Sequence, residues 1–405
     1  MFTTDRTLTL KNVLLATGVV LTLAMGVRHG FGFWMQPISQ ANGWTRETYS
    51  LAQALQNLMW GAFGPFAGMA ADRFGTMRVV LVGAIAYMLG LVWMATITHP
   101  TLFVLGSGVL IGIGLACTAF GAVSGIIGRV APPEKRSWAF GISGAASSFG
   151  QFMLMPIEQQ LISAVGWQNA FYILGALIVL LMVPMAFYLR EPAVEHAHGP
   201  QQSIREAASE ALGNRSFLFL VAGYFVCGFQ VVFIGVHLPA YLRDQGIGNP
   251  SVAVLALALI GLFNIFGSYY AGKLGGRFPK RYLLSTIYFS RSAVISLFLL
   301  APLMPATVYL FAAAMGVLWL STVPLTNGII AGVFGVKHMS MLAGIVFFSH
   351  QVGSFLGVWL GGYLYSTQGN YNMVWGIAIA LGVMSGLINL PINERPLVRD
   401  QLKAA

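Results

Sequence analysis

Long apolar stretches separated by short polar clusters run the whole length of this chain. A helix that crosses a bilayer needs roughly 20 mostly apolar residues. Read on that basis, twelve spans are predicted: 12–37, 48–70, 79–98, 101–128, 137–163, 168–189, 217–241, 251–272, 282–301, 306–332, 341–366 and 371–391. A membrane β-barrel would instead alternate apolar and polar residues along its strands. The first span is too long for a secretory leader, and no small-residue cleavage site follows it, so it is expected to stay as a helix. The longest polar stretch, 190–216, divides the chain into an N-terminal six-helix unit over 1–189, a linker, and a C-terminal six-helix unit over 217–405. Within the linker, Ser203 and Glu206 have capping-box spacing and open a short helix, expected to lie on the membrane interface.

Composition excludes the alternatives. Hydrophobic residues make up 57% of the 405 and charged residues only 8%, whereas a soluble domain carries about a quarter. Disorder is excluded by the same apolar content. The mean hydropathy is +0.75, and the 48 glycines suit membrane helices. The fold class is therefore an all-α membrane protein. Cys117 and Cys227 both lie in apolar runs and suggest no disulfide framework.

The net charge of +10 has a topological meaning. Of the 22 Lys and Arg, 18 fall in the termini and alternate loops that share one side, which by the positive-inside rule places both termini in the cytoplasm. Contact with anionic lipid follows. Nucleic acid is not an expected partner, because no basic soluble domain exists to bind it.

The two units repeat weakly. Gly68-x-x-x-Asp72-Arg73-Phe74-Gly75 follows the second span, and Gly272-x-x-x-Gly276-Arg277-Phe278 follows the eighth. Parallel six-helix repeats are a transporter architecture. The motif Gly68-x-x-x-Asp72-Arg73-x-Gly75-x-x-Arg78 resembles the cytoplasmic signature of the major facilitator superfamily. Trp34-Met-Gln-Pro37, Gly43-Trp44, Pro133-Glu-Lys-Arg136 and Gly166-Trp167 resemble the branch that holds monocarboxylate transporters and oxalate–formate antiporters. The resemblance implies twelve helices in two pseudo-symmetric six-helix bundles, alternating access, a monomer, and no cofactor. It implies a cytoplasmic gate from Gly68, Asp72, Arg73, Gly75 and Arg78, with Arg129 and the second-half Arg277 beside it. A Lys or Arg here also serves topology alone, the competing account of these residues. The second copy departs from the pattern, with Gly276 in place of the Asp.

An ionisable group inside the hydrocarbon is a functional hypothesis by default. Arg28 lies beyond the middle of the first span, among Gly26, Gly30 and Gly32, and its planar fork of donors matches a carboxylate. It is the leading anchor for an anionic substrate. Arg291 in the ninth span either reaches the cavity or is a structural cation. Monocarboxylate transporters carry an Asp and an Arg four residues apart in the eighth span. Here those positions hold Asn264 and Ser268, so either Arg28 takes over the anchoring or the substrate is not a simple monocarboxylate. Further substrate contacts are expected from His29, Gln56, Asn57, Gln151, Gln230, Asn264, Asn327 and His350, with Gln53 beside them; hydrogen bonds between helices are the competing account. Proton coupling has four candidates: His29, His237, His350 and Glu158, the last an acid within a span. Trp60 and Trp319 are candidates for an apolar wall. Gly108-x-x-x-Gly112 and Gly121-x-x-x-Gly125 are read as packing motifs. Ala122-Val-Ser124-Gly125 only nearly matches a membrane serine protease motif, and no phosphate-binding loop is present, so neither an enzyme nor an ATP-driven pump is expected.

The expected function is a secondary transporter for a small organic anion, a mono- or dicarboxylate, proton-coupled or by exchange, in a cell membrane, with a bacterial inner membrane the natural setting. A carrier of neutral or lipophilic compounds is the alternative.

Overall fold

A computed structural model describes residues 8–132, 136–190, 204–335 and 339–397. Pro133 to Lys135, His196, His198 and Ser203, singled out above, lie outside the described residues.

The first predicted span is not one helix. It comprises α1 (Leu10–His29), a 3-10 turn (Gly30–Phe33) and α2 (Met35–Asn42). Next come α3 (Arg46–Phe74), α4 (Thr76–Thr96), α5 (Pro100–Thr118), α6 (Phe120–Val130), α7 (Arg136–Val165) and α8 (Trp167–Phe187). A short α9 (Ile204–Leu212) precedes α10 (Arg215–Asp244), α11 (Pro250–Gly275), α12 (Lys280–Leu300), α13 (Pro305–Leu318), α14 (Thr322–Phe334), α15 (Met339–Gln368) and α16 (Asn372–Asn389). The fourth and tenth spans are thus each two helices end to end, α5–α6 and α13–α14. Among the described residues, ten spans pass on length and apolarity alone. The others, α3 and α7, are diluted by amides and an acid that point inward: Gln53, Gln56, Asn57, Gln151 and Glu158 are all buried.

Local chemistry sets several helix starts. Asn214 and Asn249 cap α10 and α11 through their side chains, and Pro stands in the first turn of α5, α11 and α13. Gly43 and Gly75 take positive φ, +66° and +87°, where the chain turns between helices. Large apolar side chains such as Leu180, Leu297, Leu300 and Leu310 face outward on the surface that meets lipid.

The helices through Phe187 pack as one bundle and those from Arg215 as another, with α3 against α15 and α7 against α11 joining them. Close approach depends on missing side chains. A Cβ on Gly228 of α10 would lie 1.8 Å from the His350 carbonyl, and one on Gly353 of α15 would lie 1.9 Å from that of Phe225. Gly108 and Gly112 likewise press α5 onto Leu55 and Met59 of α3. Gly121 does not follow that reading, since a Cβ there would meet nothing within 4 Å.

The bundles do not meet evenly. One end of the molecule, the basic end, holds Lys11, Arg78, Arg129, Arg215, Lys273 and Arg277. At the opposite end the bundles are latched. Arg46 of α3 reaches Asp244 of α10, with Nη2 donating to Oδ1 at 2.7 Å, and Gly362 of α15 sits against Ser50 of α3. Midway, Gln351 donates to the Asn57 carbonyl at 3.0 Å, and Trp60 meets Phe347 edge-on at 5.2 Å. Further toward the basic end, Gly64 and Gly68 of α3 and Gly344 of α15 would place a Cβ with nothing within 4 Å. The closest described contacts between α3 and α15 thus run from the Arg46 end to the middle of the molecule.

Candidate functional site

A small cavity of about 20 Å³, room for roughly one water, lies between the bundles. Arg28, His29 and Gly32 form one wall, Gln53, Gln56 and Asn57 of α3 a second, and Val231, Val232, Gly235 and Val236 of α10 a third; Trp319, at the junction of α13 and α14, completes it. Its roof is backbone: a Cβ on Gly32 would lie 2.7 Å from the Gly235 carbonyl. No acid is among the lining residues.

Arg28 is held but not saturated. Its Nη2 donates to Asn57 Oδ1, while Asn57 Nδ2 donates back along α3 to the Gln53 carbonyl at 2.7 Å. The guanidinium carbon stands 4.9 Å from the Trp60 ring centre. Arg28 Nε has no partner, nor do the Gln53 amide nitrogen, either amide atom of Gln56, or Trp319 Nε1. Buried polar atoms are nearly always paired, so such a cluster around one cavity marks a place for a ligand. His29 Nδ1 lies 2.6 Å from the Met25 carbonyl and must donate to it, which leaves Nε2 for other partners.

The other candidates lie elsewhere. Arg291 is wholly buried, but its Nε and Nη2 donate to the Leu318 carbonyl at 3.1 and 2.7 Å, and Nη2 also reaches the Trp319 carbonyl. Asn264 accepts from the Leu320 N–H at 3.0 Å and from Ser268 at 3.2 Å. Arg291 and Asn264 therefore hold the break between α13 and α14 instead of lining the cavity. Gln230 donates to the Ala378 carbonyl at 2.8 Å within the C-terminal bundle. Gln151 is buried against Gly261 of α11, Asn327 is half-buried on α14, and His350 pairs with Gln351 at 2.9 Å.

Glu158 is buried inside the N-terminal bundle. Its Oε2 accepts from Trp34 Nε1 at 2.9 Å, its Oε1 has no partner, and it fills the space that a side chain at Gly30 would need. His237 belongs to the latched end. A carbonyl only accepts, so His237 Nε2–H donates to Val358 at 2.9 Å, and the Tyr371 hydroxyl donates to Nδ1 at 3.1 Å. Arg46 donates to that same hydroxyl at 3.2 Å and lies 3.9 Å from the Tyr365 ring centre.

Of the gate motif, Gly75 forms the turn into α4, and Gly68 lies on α3 with open space where a Cβ would stand. The side chains of Asp72 and Arg73 lie outside the described residues; Arg78, Arg129 and Arg277 are exposed.

The family model of the Major Facilitator Superfamily matches residues 15–327. The chain belongs to the major facilitator superfamily. It is 26% identical over 386 residues to an uncharacterized MFS-type transporter, YcxA, of Bacillus subtilis, covering 93% of this chain and 94% of that one. It is 26% identical over 355 residues to monocarboxylate transporter 4 of Rattus norvegicus, covering 85% and 74%. The fold is also that of a bacterial homolog of the human lysosomal transporter Spinster in an inward-facing, occupied conformation, with a TM-score of 0.74 at 16% identity over 94% of this chain and 96% of the other. This chain is thus a multi-pass membrane transporter and not an enzyme.

Sequence reasoning left two features of this transporter unread. The α10 valines gave no signal, being ordinary residues of an apolar span. Trp319 was expected to contribute an apolar wall, but it also presents an unpaired N–H.

Proposed function

We propose that this transporter moves a small organic anion, a mono- or dicarboxylate, by alternating access, with Arg28 as the anchor. The observation that carries this reading is an incompletely paired guanidinium in a cavity between the bundles, surrounded by amides and free of acids. A carboxylate offers two acceptor oxygens in the plane of the guanidinium and would pair Nε with a second N–H. The kinship with proteins named monocarboxylate transporters supports the same class. The eighth-span positions filled by Asn264 and Ser268 are occupied with the α13–α14 break, which leaves anchoring to Arg28.

With both termini cytoplasmic, the basic end faces the cytoplasm, and the structure represents the state closed to the outside. Asp72, Arg73, Gly75 and Arg78 would form the gate that closes when the bundles rock the other way, with Arg129 and Arg277 at its rim. For coupling, His29 has a free ring nitrogen at the substrate cavity, while His237 and Glu158 lie outside it. Anion exchange needs none of them. We place the protein in a bacterial inner membrane, acting as a monomer.

Thermal stabilisation of the detergent-purified protein tests the reading. A ligand that binds the native state raises apparent stability by mass action. Mono- or dicarboxylates should shift the native protein and fail to shift Arg28→Ala. Shifts from neutral solutes or organic cations alone would overturn the anion reading in favour of a carrier of uncharged compounds.

A further inference from the structure

The two copies of the repeated loop motif differ in charge. At an offset of 204 residues, Met69 corresponds to Lys273, Asp72 to Gly276 and Arg73 to Arg277. The charges of 68–75 cancel, whereas 272–279 carries two cations and no acid. The backbone does not require the glycine. Gly276 has φ −81° and ψ −14°, open to any residue, and a Cβ there would meet only the Lys273 carbonyl oxygen, at 3.5 Å. Lys273 and Arg277 are exposed, and among the described residues neither makes an ion pair or a side-chain hydrogen bond. The next two cations are already engaged. Lys280 lies 3.8 Å from Glu394, and Arg281 donates to the Ile392 carbonyl at 3.1 Å and to the Tyr282 hydroxyl at 3.0 Å.

The free cations end an outward-facing stripe. Leu255, Phe266, Tyr269, Tyr270 and Lys273 share one face of α11 by helical period, and all are exposed. The opposite face carries Gly267 and Gly275, pressed against Val317 of α13 and Leu325 of α14. The stripe therefore points away from the core of its bundle. Toward the basic end it passes from Phe266 to the Tyr269 and Tyr270 rings, which meet edge-on at 5.4 Å, and then to Lys273 in the last turn of α11. Arg277 stands just beyond the helix. The tyrosines are 64% and 55% exposed, too open to serve as packing residues. Tyrosine rings sit at the headgroup level of a bilayer. Apolar side chain, aromatic ring and cation thus follow in the order of a phospholipid's tail, glycerol and phosphate.

We propose that this end of α11 is a binding site for an anionic phospholipid, with the phosphate at Lys273 and Arg277, the glycerol at Tyr269 and Tyr270, and an acyl chain along Phe266. Net charge draws anionic lipid to the basic end as a whole. This spot differs because Lys stands where the first copy has Met, and Gly where it has Asp, directly beside two exposed rings. Each cation near an anionic lipid surface strengthens binding about fivefold, so the pair gives about 25-fold. A zwitterionic headgroup brings its own ammonium, which the two cations repel. A free phosphate meets the same cations but gains nothing from Phe266 or the tyrosine rings.

Native mass spectrometry of the purified full chain, taken from micelles doped equally with phosphatidylglycerol and phosphatidylcholine, tests the site through the first lipid retained. The native protein should favour phosphatidylglycerol about 25-fold. Lys273→Met and Gly276→Asp rewrite the second copy as the first, at exposed positions that leave the fold intact. Each should lower the preference about fivefold, and the double variant should lose nearly all of it. Lys11→Gln, which removes another exposed cation of the same end, should leave the preference unchanged. Equal retention of the two lipids by the native protein overturns the proposal, as does a preference that survives the double variant. A loss in Lys11→Gln as large as that in Lys273→Met would also overturn it, by reducing the site to diffuse surface charge. Inorganic phosphate that displaces phosphatidylglycerol from the native protein would assign the pair to a soluble anion and sink the lipid reading.

Discussion

Asp244→Asn should loosen the closed end of the transporter. In the structure Arg46 engages Asp244 through both terminal nitrogens, one of them at 2.7 Å, with the two side chains 15% and 24% exposed. Exposed ion pairs contribute about 0–1 kcal/mol. This one is bidentate, partly shielded and stacked on Tyr365, which places it at about 1–2 kcal/mol. The pair joins the two bundles, so it stabilises only the conformation closed at this end. Its loss should raise the population open at this end by a factor of about 5–30. Spin labels at the exposed positions Ala41, near the end of α2, and Gln245, just after α10, report the separation by double electron–electron resonance. The native protein should give mainly a short distance, and Asp244→Asn a second, longer population. The swap Arg46→Asp with Asp244→Arg should restore part of the short population, though not the stacking on Tyr365. Identical distance distributions in native and Asp244→Asn protein would refute the latch.

His237→Phe removes the acceptor of the Tyr371 hydroxyl and should shift the same label pair in the same direction by a smaller amount, about 1 kcal/mol for one hydrogen bond; an unchanged distribution would detach His237 from the latch. Glu158→Gln keeps an acceptor for Trp34, whereas Glu158→Leu leaves that indole N–H unpaired, so only the Leu variant should lose stability, by about 1–3 kcal/mol in thermal unfolding. If Glu158 carries the coupling proton, Glu158→Gln should keep substrate counterflow in proteoliposomes and lose uphill uptake driven by a proton gradient; retained uphill uptake would remove it from the candidates. Gly228→Ala must push α10 off the His350 carbonyl and should lower the unfolding temperature through about 1–3 kcal/mol of overpacking, while Gly344→Ala, with open space around it, should be neutral.

The span pattern was legible because a membrane demands long apolar helices whatever their neighbours. The breaks in the first and tenth spans were not. Pro65, Pro156 and Pro239 look like breakers, yet they lie inside α3, α7 and α10. The α13–α14 break instead has Leu318, Trp319, Leu320 and Ser321, none a strong local signal, and it is held by Arg291 and Asn264 from α12 and α11. Contacts between residues so far apart leave no mark in local periodicity. The same fact explains why Arg291 and Asn264, rightly noticed as polar groups in apolar spans, could not be sorted from cavity residues. Arg28, Gln56 and Asn57 were readable because a cation and amides clustered on two inward-facing helices have few other uses. The reading of Arg28 as an anchor rests on what the cavity lacks as much as on what it holds: no acid from either bundle lines it.

The most direct test of that anchor compares a carboxylate with its own primary amide, which has the same shape and no charge. Isothermal titration of the purified protein should show the acid binding about 100-fold more tightly than the amide, the effect of roughly 3 kcal/mol from a charge-assisted pair. Arg28→Ala should bring the two to equal, weak affinity. An acid-over-amide preference that persists in Arg28→Ala, or an amide that binds the native protein as well as the acid, would contradict the claim that Arg28 anchors an anionic substrate.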